Sequence, residues 1–422
     1  MKNKIAVIGS GISGLSIAAM LKDNFDVKVF ESKSNIGGLV FCDRPADVLY
    51  HRVGGHVFNS KNKEVLKWFW SKFDKDKEFV QAKRNAKIFY NNSFIGYPIE
   101  NFLYQLDTAL MVQIMEELLD INKQDTSDPL SHSNFEEFLK CNFGKTLYEI
   151  YFKPYNEKIW KIDLNTVPMH WLEGKLPMPK LLEIIASNIK REPEGEMVHS
   201  TFFYPKEEGS QFIVNRLAEG LTIYTDHSIE NIQVLNNGKK RIFEEEYDTV
   251  IYTGDVRKLS GIVHEDSLRA FAELEKIQAF RSNGTSSVLC SCDANELSWL
   301  YIPEPAFKAH RIIYTGNFSP TNNVLTSGRT SCTVEFSGIC SLEEMKHELK
   351  FLPGNLTFID YNQEPNSYVI QNADTREVIE RYKTQLEKHN IYLLGRFGEW
   401  EYYNMDKAIE SAFTVKEKIL AH

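Results

Sequence analysis

Gly9, Gly11 and Gly14 stand in G-x-G-x-x-G spacing directly after the apolar run Ile5, Ala6, Val7, Ile8. Glycines so placed hold phosphate. The first permits a tight turn, the second lets backbone approach a pyrophosphate, and the third lets a helix pack against the strand. The helix predicted next carries Leu15, Ile17, Ala18, Ala19 and Leu21, and its first residues, Ile12 and Ser13, offer free N–H groups at the positive end of a dipole. A second strand over 27–30 ends in Glu31, whose carboxylate suits a ribose diol. Strand, glycines, helix, strand and acid at these offsets specify an adenine dinucleotide. Neither a Ser-His-Asp nor a Cys-His arrangement is visible, so no side-chain nucleophile is expected.

The remaining elements must position further groups. A strand over 48–53 leads into the glycine-flanked loop Gly54-Gly55-His56; alone, His56 reads as a turn histidine. A helix is predicted over 62–73, and 82–94 alternates around a hairpin turn at Asn91-Asn92. Residues 100–190 are dominantly helical: 103–119, 134–143 with Gly144 as C-cap, 145–160 and 177–189. REPEGE at 191–196 reads as a charged linker. Gly209-Ser210 opens another helix, 223–224 and 228–232 read as short strands, Asn236-Asn237-Gly238 as a hairpin, and 249–253 as a buried strand. Several strands between 286 and 337 predict an antiparallel sheet. Residues 391–420 combine a strand, a glycine-rich turn and a helix from about Asn404, whose N-terminus is a second candidate phosphate or flavin site.

At 422 residues the chain exceeds one core, so two or three domains are expected. The 19 tyrosines suit stacking on planar rings, and a net charge of −9 argues against nucleic-acid binding while leaving room for a local basic pocket. Cys42, Cys141, Cys290, Cys292, Cys332 and Cys340 show neither metal-ligand nor disulfide spacing; Cys290 and Cys292 share one strand face, and reduced thiols are expected. The first strand begins at once, which leaves no room for a signal peptide, and no apolar run nears the roughly 18 residues of a membrane span. A cytoplasmic enzyme is expected.

The pattern E-x-K-x-x-x-G-G, formed by Glu31, Ser32, Lys33, Gly37 and Gly38 and followed by Leu39, resembles flavoproteins of the amine oxidase, protoporphyrinogen oxidase-like and UDP-galactopyranose mutase superfamily. That resemblance turns the dinucleotide into FAD. G-G-H-V-F at 54–58 resembles the mutases' flavin-side loop, with His56 beside the isoalloxazine. G-R-F-G-E-W-E-Y-Y-N-M-D at 395–406 resembles their C-terminal signature. It implies that Gly395, Arg396, Asn404 and Met405 line the flavin and that Tyr402 faces the sugar-nucleotide phosphates. P-Y-N-E-K-I-W at 154–160 is similar to the segment presenting Tyr155, Asn156 and Trp160 to the nucleotide-sugar. Tyr301, Arg311 and Tyr368 fall where the family has diphosphate-facing groups, and Tyr97 closes the hairpin beside them. There are departures. Lys175 stands where an arginine is expected, keeping charge without the bidentate fork. Glu100 and Phe318 replace a common glutamine and tyrosine near the base and phosphates, and Asn404 replaces an aspartate.

The resemblance implies an α/β fold: a Rossmann-like FAD-binding domain from 1–80, 205–260 and 380–422, a helical domain over 100–195, and an antiparallel sheet domain from 81–99 with 261–379. It implies interconversion of pyranose and furanose forms of a nucleotide-diphosphate sugar, for cell-surface polysaccharide biosynthesis. It further implies that reduced flavin N5 attacks the anomeric C1, with Arg311 and Lys175 holding the leaving diphosphate and His56 attending the flavin. NAD(P)H or another reductant, and a homo-oligomeric state, are further expectations. The rivals are a flavin oxidase or desaturase of the amine oxidase type, an NAD(P)-dependent dehydrogenase, and a catalytically idle flavoprotein.

Overall fold

The computed structural model describes residues 2–123, 132–169, 180–191, 201–323 and 328–421. Its first layer is a five-stranded parallel sheet in the order Ile391–Leu393, Thr249–Tyr252, Lys4–Ile8, Asp26–Phe30, Thr222–Tyr224. Strands buried on both faces need apolar residues at successive positions, and here they divide cleanly. Ile5, Val7, Val29 and Ile251 pack with Ile17 and Leu21 of the first helix, Ile12–Leu21, and with Ala412 and Val415 of the last, Met405–Leu420. Ala6, Phe30, Val250 and Tyr252 face the opposite core, under the helix Thr375–Glu387. The sheet therefore collects strands from both ends and the middle of the chain. Two shifts from the sequence reading occur nearby. The strand expected at 228–232 forms at Ile232–Val234, and that expected over 48–53 shrinks to Tyr50–His51, paired with Cys42–Asp43.

The second sheet has seven strands, in the order Thr357–Val369, Ser282–Asp293, Arg329–Ser337, Ala309–Ile313, Trp299–Tyr301, Ala86–Tyr90, Ser93–Gly96. Its pairs are antiparallel except one: the hairpin joins through Ala86–Tyr90, parallel to Trp299–Tyr301. Asn91 and Asn92 both take positive φ, 51° and 56°, the conformation a tight hairpin of this hand demands. Cys290 and Cys292 both point into the core between this sheet and the helix Leu342–Glu348, and the six cysteines are free thiols. The thirteen-residue strand Thr357–Val369 escaped the sequence reading because it is an edge: its polar run needs no alternating apolar face.

The described helical segments between the sheets are Thr108–Lys123, Phe135–Leu147, a wider turn Tyr148–Phe152 that runs into Lys153–Trp160, and Leu181–Lys190. Asn134 caps its helix by accepting the Glu137 amide at 2.9 Å. Gly144 ends the first helical run as expected: at φ 84° and ψ 161° it is non-helical, the chain resumes a helix after it, and Glu117 accepts the Thr146 amide at 2.8 Å. The far end of this run is moored to the large sheet. Lys158 Nζ donates to the carbonyls of Ile302 (2.7 Å), Glu304 (2.8 Å) and Ala309 (3.2 Å), and Ser337 Oγ donates to Ile159 O at 2.6 Å. The linker at 192–196 lies outside the described residues. Among the described residues no helix is long and apolar enough to cross a membrane.

Candidate functional site

The glycine turn is built by close approach. At Gly14 an added Cβ would sit 2.0 Å from Gly9 O, so helix and strand can meet only through glycine. Gly9 turns at φ 103° under Thr253. Gly11 differs: a Cβ there would meet nothing nearer than Gly37 O at 4.0 Å, leaving space in front of a helix whose N-terminus has no side-chain cap. The glycine pair closes over this space. Gly11 bridges to Gly37, and Gly38 at φ 57° lies against Gly11 Cα. From the other end of the chain, a Cβ on Gly395 would be 2.4 Å from Ser13 Oγ, so the C-terminal turn abuts the first helix. Asn404 begins the last helix without capping it, so a second N-terminus is open just before Met405. The donors and the space fit a dinucleotide phosphate.

Glu31 is more engaged than its sequence role implies. Its carboxylate accepts from Ser10 N (2.9 Å), Ser10 Oγ (2.6 Å), Lys33 N (3.0 Å) and Ser32 Oγ (3.3 Å). It buttresses the glycine turn from behind, and a ribose hydroxyl would compete with the longest of these bonds.

The loop of Gly54, Gly55 and His56 lies against the large sheet, where a Cβ on Gly55 would collide with Ile313 at 2.6 Å. His56 Nε2 donates to Leu39 O at 3.0 Å, which ties this loop to the turn after the glycine pair. Burial and the nearby Arg396 push its pKa down to about 4, so the ring is neutral at pH 7. Arg396 is clamped: it donates to Tyr403 O through Nη2 (2.6 Å) and Nε (3.2 Å) and to Ser367 O through Nη1 (2.8 Å), and lies 4.6 Å over the Tyr402 ring. Three of its five N–H groups are thus spent on holding the turn.

From Arg396 a wall of rings runs outward. Tyr402 stacks on Tyr368 with centroids 5.6 Å apart, and Trp160 meets both edge-on at 5.6 and 5.8 Å. Tyr368 OH accepts from Arg311 Nη2 at 3.3 Å. Tyr301 lies directly opposite Arg311 on the neighbouring strand, and packs on Tyr155 (5.5 Å) and Tyr97 (4.9 Å). The structure therefore brings His56, Arg311, Tyr97, Tyr155, Trp160, Tyr301, Tyr368, Tyr402 and Arg396 into one continuous surface. Asn156 is turned away: its amide donates to Phe152 O at 2.7 Å, one helical turn back. Lys175 lies outside the described residues. Glu100 is buried beyond Tyr97, its carboxyl raised to about 7 by burial, and Phe318 is buried among Phe202, Tyr204 and Trp299.

Three groups of consequence are absent from the sequence reading. Glu335, 1% exposed, binds Arg311 Nε, and His310 Nε2 lies 3.3 Å from the same oxygen. Burial pushes the Glu335 carboxyl up, but Arg311 and His310 outweigh it and hold it well below the usual carboxylate range. A lone charged residue inside the β-branched and hydroxyl-rich strand T-S-C-T-V-E-F-S was the available signal. Arg84 donates to Tyr301 OH at 2.7 Å and lies 4.5 Å from the Tyr97 ring and 5.6 Å from that of Trp299. Finally, the expectation of no Cys-His arrangement is corrected: Cys42 Sγ lies 3.3 Å from His51 Nδ1. The pair is not a nucleophile. Burial raises the thiol to about 11 and lowers the imidazole to about 3, so both are neutral. Among the described residues no group of acids, histidines or cysteines could hold a metal ion.

Fold and cradle define a class: a Rossmann-like dinucleotide-binding protein with helical and mixed-sheet additions. Consistent with it, residues 7–73 match the family described as "NAD(P)-binding Rossmann-like domain". The chain is also similar over its whole length to sugar-nucleotide mutases. It is 23% identical to a probable UDP-galactopyranose mutase of Klebsiella pneumoniae, covering 100% of this chain and 96% of that one. It is 24% identical to the dTDP-fucopyranose mutase of Escherichia coli, over 97% and 96% of the two chains. A crystal structure of reduced UDP-galactopyranose mutase superposes with a TM-score of 0.87 at 20% identity, covering 99% and 96%. The resemblance read from the motifs is thus met by sequence and by fold.

Proposed function

We propose that the protein is an FAD-dependent mutase interconverting the pyranose and furanose forms of a nucleotide-diphosphate sugar. Arg311 carries this reading: a half-buried cation bonded to the Tyr368 phenol and set opposite Tyr301, on a strand that also supports the His56 loop. Such a centre suits a diphosphate that leaves and returns, where a flavin oxidase of the same superfamily fold needs no fixed cation. The two relatives described above are named as mutases of nucleotide sugars.

In this reading the residues 1–80, 205–260 and 380–422 hold FAD, 100–195 supply helical walls, and 81–99 with 261–379 supply the substrate sheet. Gly9, Gly11, Ile12, Ser13 and Gly14 take the pyrophosphate, Glu31, Ser32 and Lys33 the adenosine end, and Gly37, Gly38 and Leu39 the middle of the cofactor. Gly55, His56, Gly395, Arg396, Asn404 and Met405 surround the flavin. Reduced flavin supplies a nucleophilic nitrogen that no side chain here replaces. The chain's own residues orient and neutralise. Arg311, with Lys175, holds the diphosphate; Tyr301, Tyr368 and Tyr402 donate to it; Tyr97, Tyr155 and Trp160 wall the sugar nucleotide. His56, neutral at pH 7, adds no charge beside the flavin. A sugar-nucleotide substrate supports a cytoplasmic location for the enzyme.

The test is turnover with dithionite-reduced enzyme on UDP-galactopyranose and dTDP-fucopyranose. Pyranose–furanose interconversion only in the reduced state, without net reductant consumption, is expected. Stoichiometric peroxide from an amine substrate instead would support the oxidase.

A further inference from the structure

A chain of buried hydrogen bonds runs behind the glycine pair, and its direction can be worked out from its two ends. Asn322 lies 2.8 Å from Thr315 O and 3.0 Å from Tyr204 OH. A carbonyl only accepts, so the Asn322 atom facing it is the amide nitrogen, and that nitrogen also donates to Tyr204. Tyr204 must then send its own proton to His51 Nε2, 2.7 Å away. His51 is thereby the Nδ1–H tautomer, and Nδ1 faces Ser210 Oγ and Cys42 Sγ, each at 3.3 Å. At the far end Ser210 Oγ donates to Val40 O at 2.6 Å, again a group that only accepts. Asn322, His51, Tyr204 and Ser210 are all buried.

The acceptor at the end of this relay is the last residue of the short turn Gly38–Val40, which follows the glycine pair. The preceding carbonyl, Leu39 O, is the one bound by His56. Gln211, next to Ser210, holds the same stretch from the other side, its Oε1 accepting the Cys42 amide at 3.2 Å. Two neutral histidines therefore grip consecutive carbonyls of one turn, one directly and one through Ser210.

We propose that Asn322, Tyr204, His51 and Ser210 form a one-way proton-donor relay that fixes the Gly38–Val40 turn, and so position the dinucleotide without touching it. The inference rests on the cofactor reading above. Because burial keeps His51 neutral and Cys42 protonated across the working range, the grip does not change with pH.

The experiment is titration of FAD into apoprotein, with circular dichroism on each variant. Ser210→Ala removes the last donor and should weaken FAD binding about tenfold with unchanged secondary structure; Tyr204→Phe should weaken it about threefold. Tyr50→Phe removes an equally buried hydroxyl, bonded to Ser287 at 2.7 Å and outside the relay, and should bind FAD as the parent does. Nitrogen-15 NMR of the holoprotein should show His51 protonated on Nδ1. Parent-like FAD affinity in both Ser210→Ala and Tyr204→Phe, or an Nε2–H signature for His51, overturns the relay. A parent that binds no FAD overturns the cofactor reading instead.

Discussion

Arg311 and Glu335 face each other across an antiparallel strand pair, and the carboxylate takes the guanidinium's Nε, leaving the Nη groups to point along the ring wall. The acid aims the base. Removing it leaves a half-buried cation that keeps its bond to Tyr368 but loses the partner of its Nε. Deleting one partner of a fully buried pair costs on the order of 3–5 kcal/mol, and the 23% exposure of the Arg311 side chain lowers the expected loss below that. Glu335→Ala is expected to lower the melting temperature and to raise KM for the sugar nucleotide, whereas Glu335→Gln, which keeps shape and a hydrogen bond, should cost less of both. Equal effects of the two variants would contradict the aiming role. The pH dependence has a fixed sign: a depressed carboxyl stabilises the fold above its unfolded pKa, and this contribution fades as pH falls below about 4.

Arg311→Ala should act on the chemistry itself. The expected result is a KM raised at least tenfold together with a reduced kcat, because in the proposed reaction Arg311 holds the diphosphate both before and after it leaves. Steady-state kinetics of reduced enzyme provide the check, and a variant with parental constants would remove Arg311 from the site.

Glu100 behaves in the opposite sense to Glu335. Its carboxyl is buried and its pKa is raised to about 7, so the folded state holds the proton more tightly than the unfolded chain. Its contribution is favourable below the unfolded value of about 4.3 and is lost progressively as pH rises to about 7. Glu100→Gln is therefore expected to stabilise the protein by about 2–4 kcal/mol at pH 8.5 and to change little at pH 4. Urea unfolding at the two pH values measures the difference; a constant offset would show that the carboxyl is not the cause.

Glycines supply a steric contrast. Gly14→Ala must push a methyl into Gly9 O, 2.0 Å away, and should abolish flavin retention and much of the stability. Gly238→Ala meets nothing within 4 Å and bears only the strain of φ 79°, a cost of about 1 kcal/mol. Flavin absorbance after purification and thermal melts of both variants would distinguish them, and comparable melts would contradict the packing account.

What could be seen in the sequence was local or repeated elsewhere in a family pattern. Gly9, Gly11, Gly14 and Glu31 lie within one strand–helix–strand unit, and their chemistry follows from spacing alone. Arg396, Tyr402 and Tyr155 were reached through motifs. Glu335 and Arg84 were not, because each acts on a residue distant in sequence: Arg311 is met only through strand register, and Arg84 reaches Tyr301 across a parallel pair joining segments about two hundred residues apart. Cys42 and His51 were hidden for a different reason. They sit opposite each other in strands of two residues, too short to carry any hydrophobic alternation.

Lys158 has a mechanical consequence. Its three carbonyl bonds, with the bond from Ser337 to Ile159, tie the helix bearing Tyr155, Asn156 and Trp160 to the sheet bearing Tyr301 and Arg311. These bonds oppose a jaw-like parting of the two faces of the cleft. If the proposed function holds, entry of a bulky sugar nucleotide is expected to be governed elsewhere along the rim, with the rings of this wall kept in register.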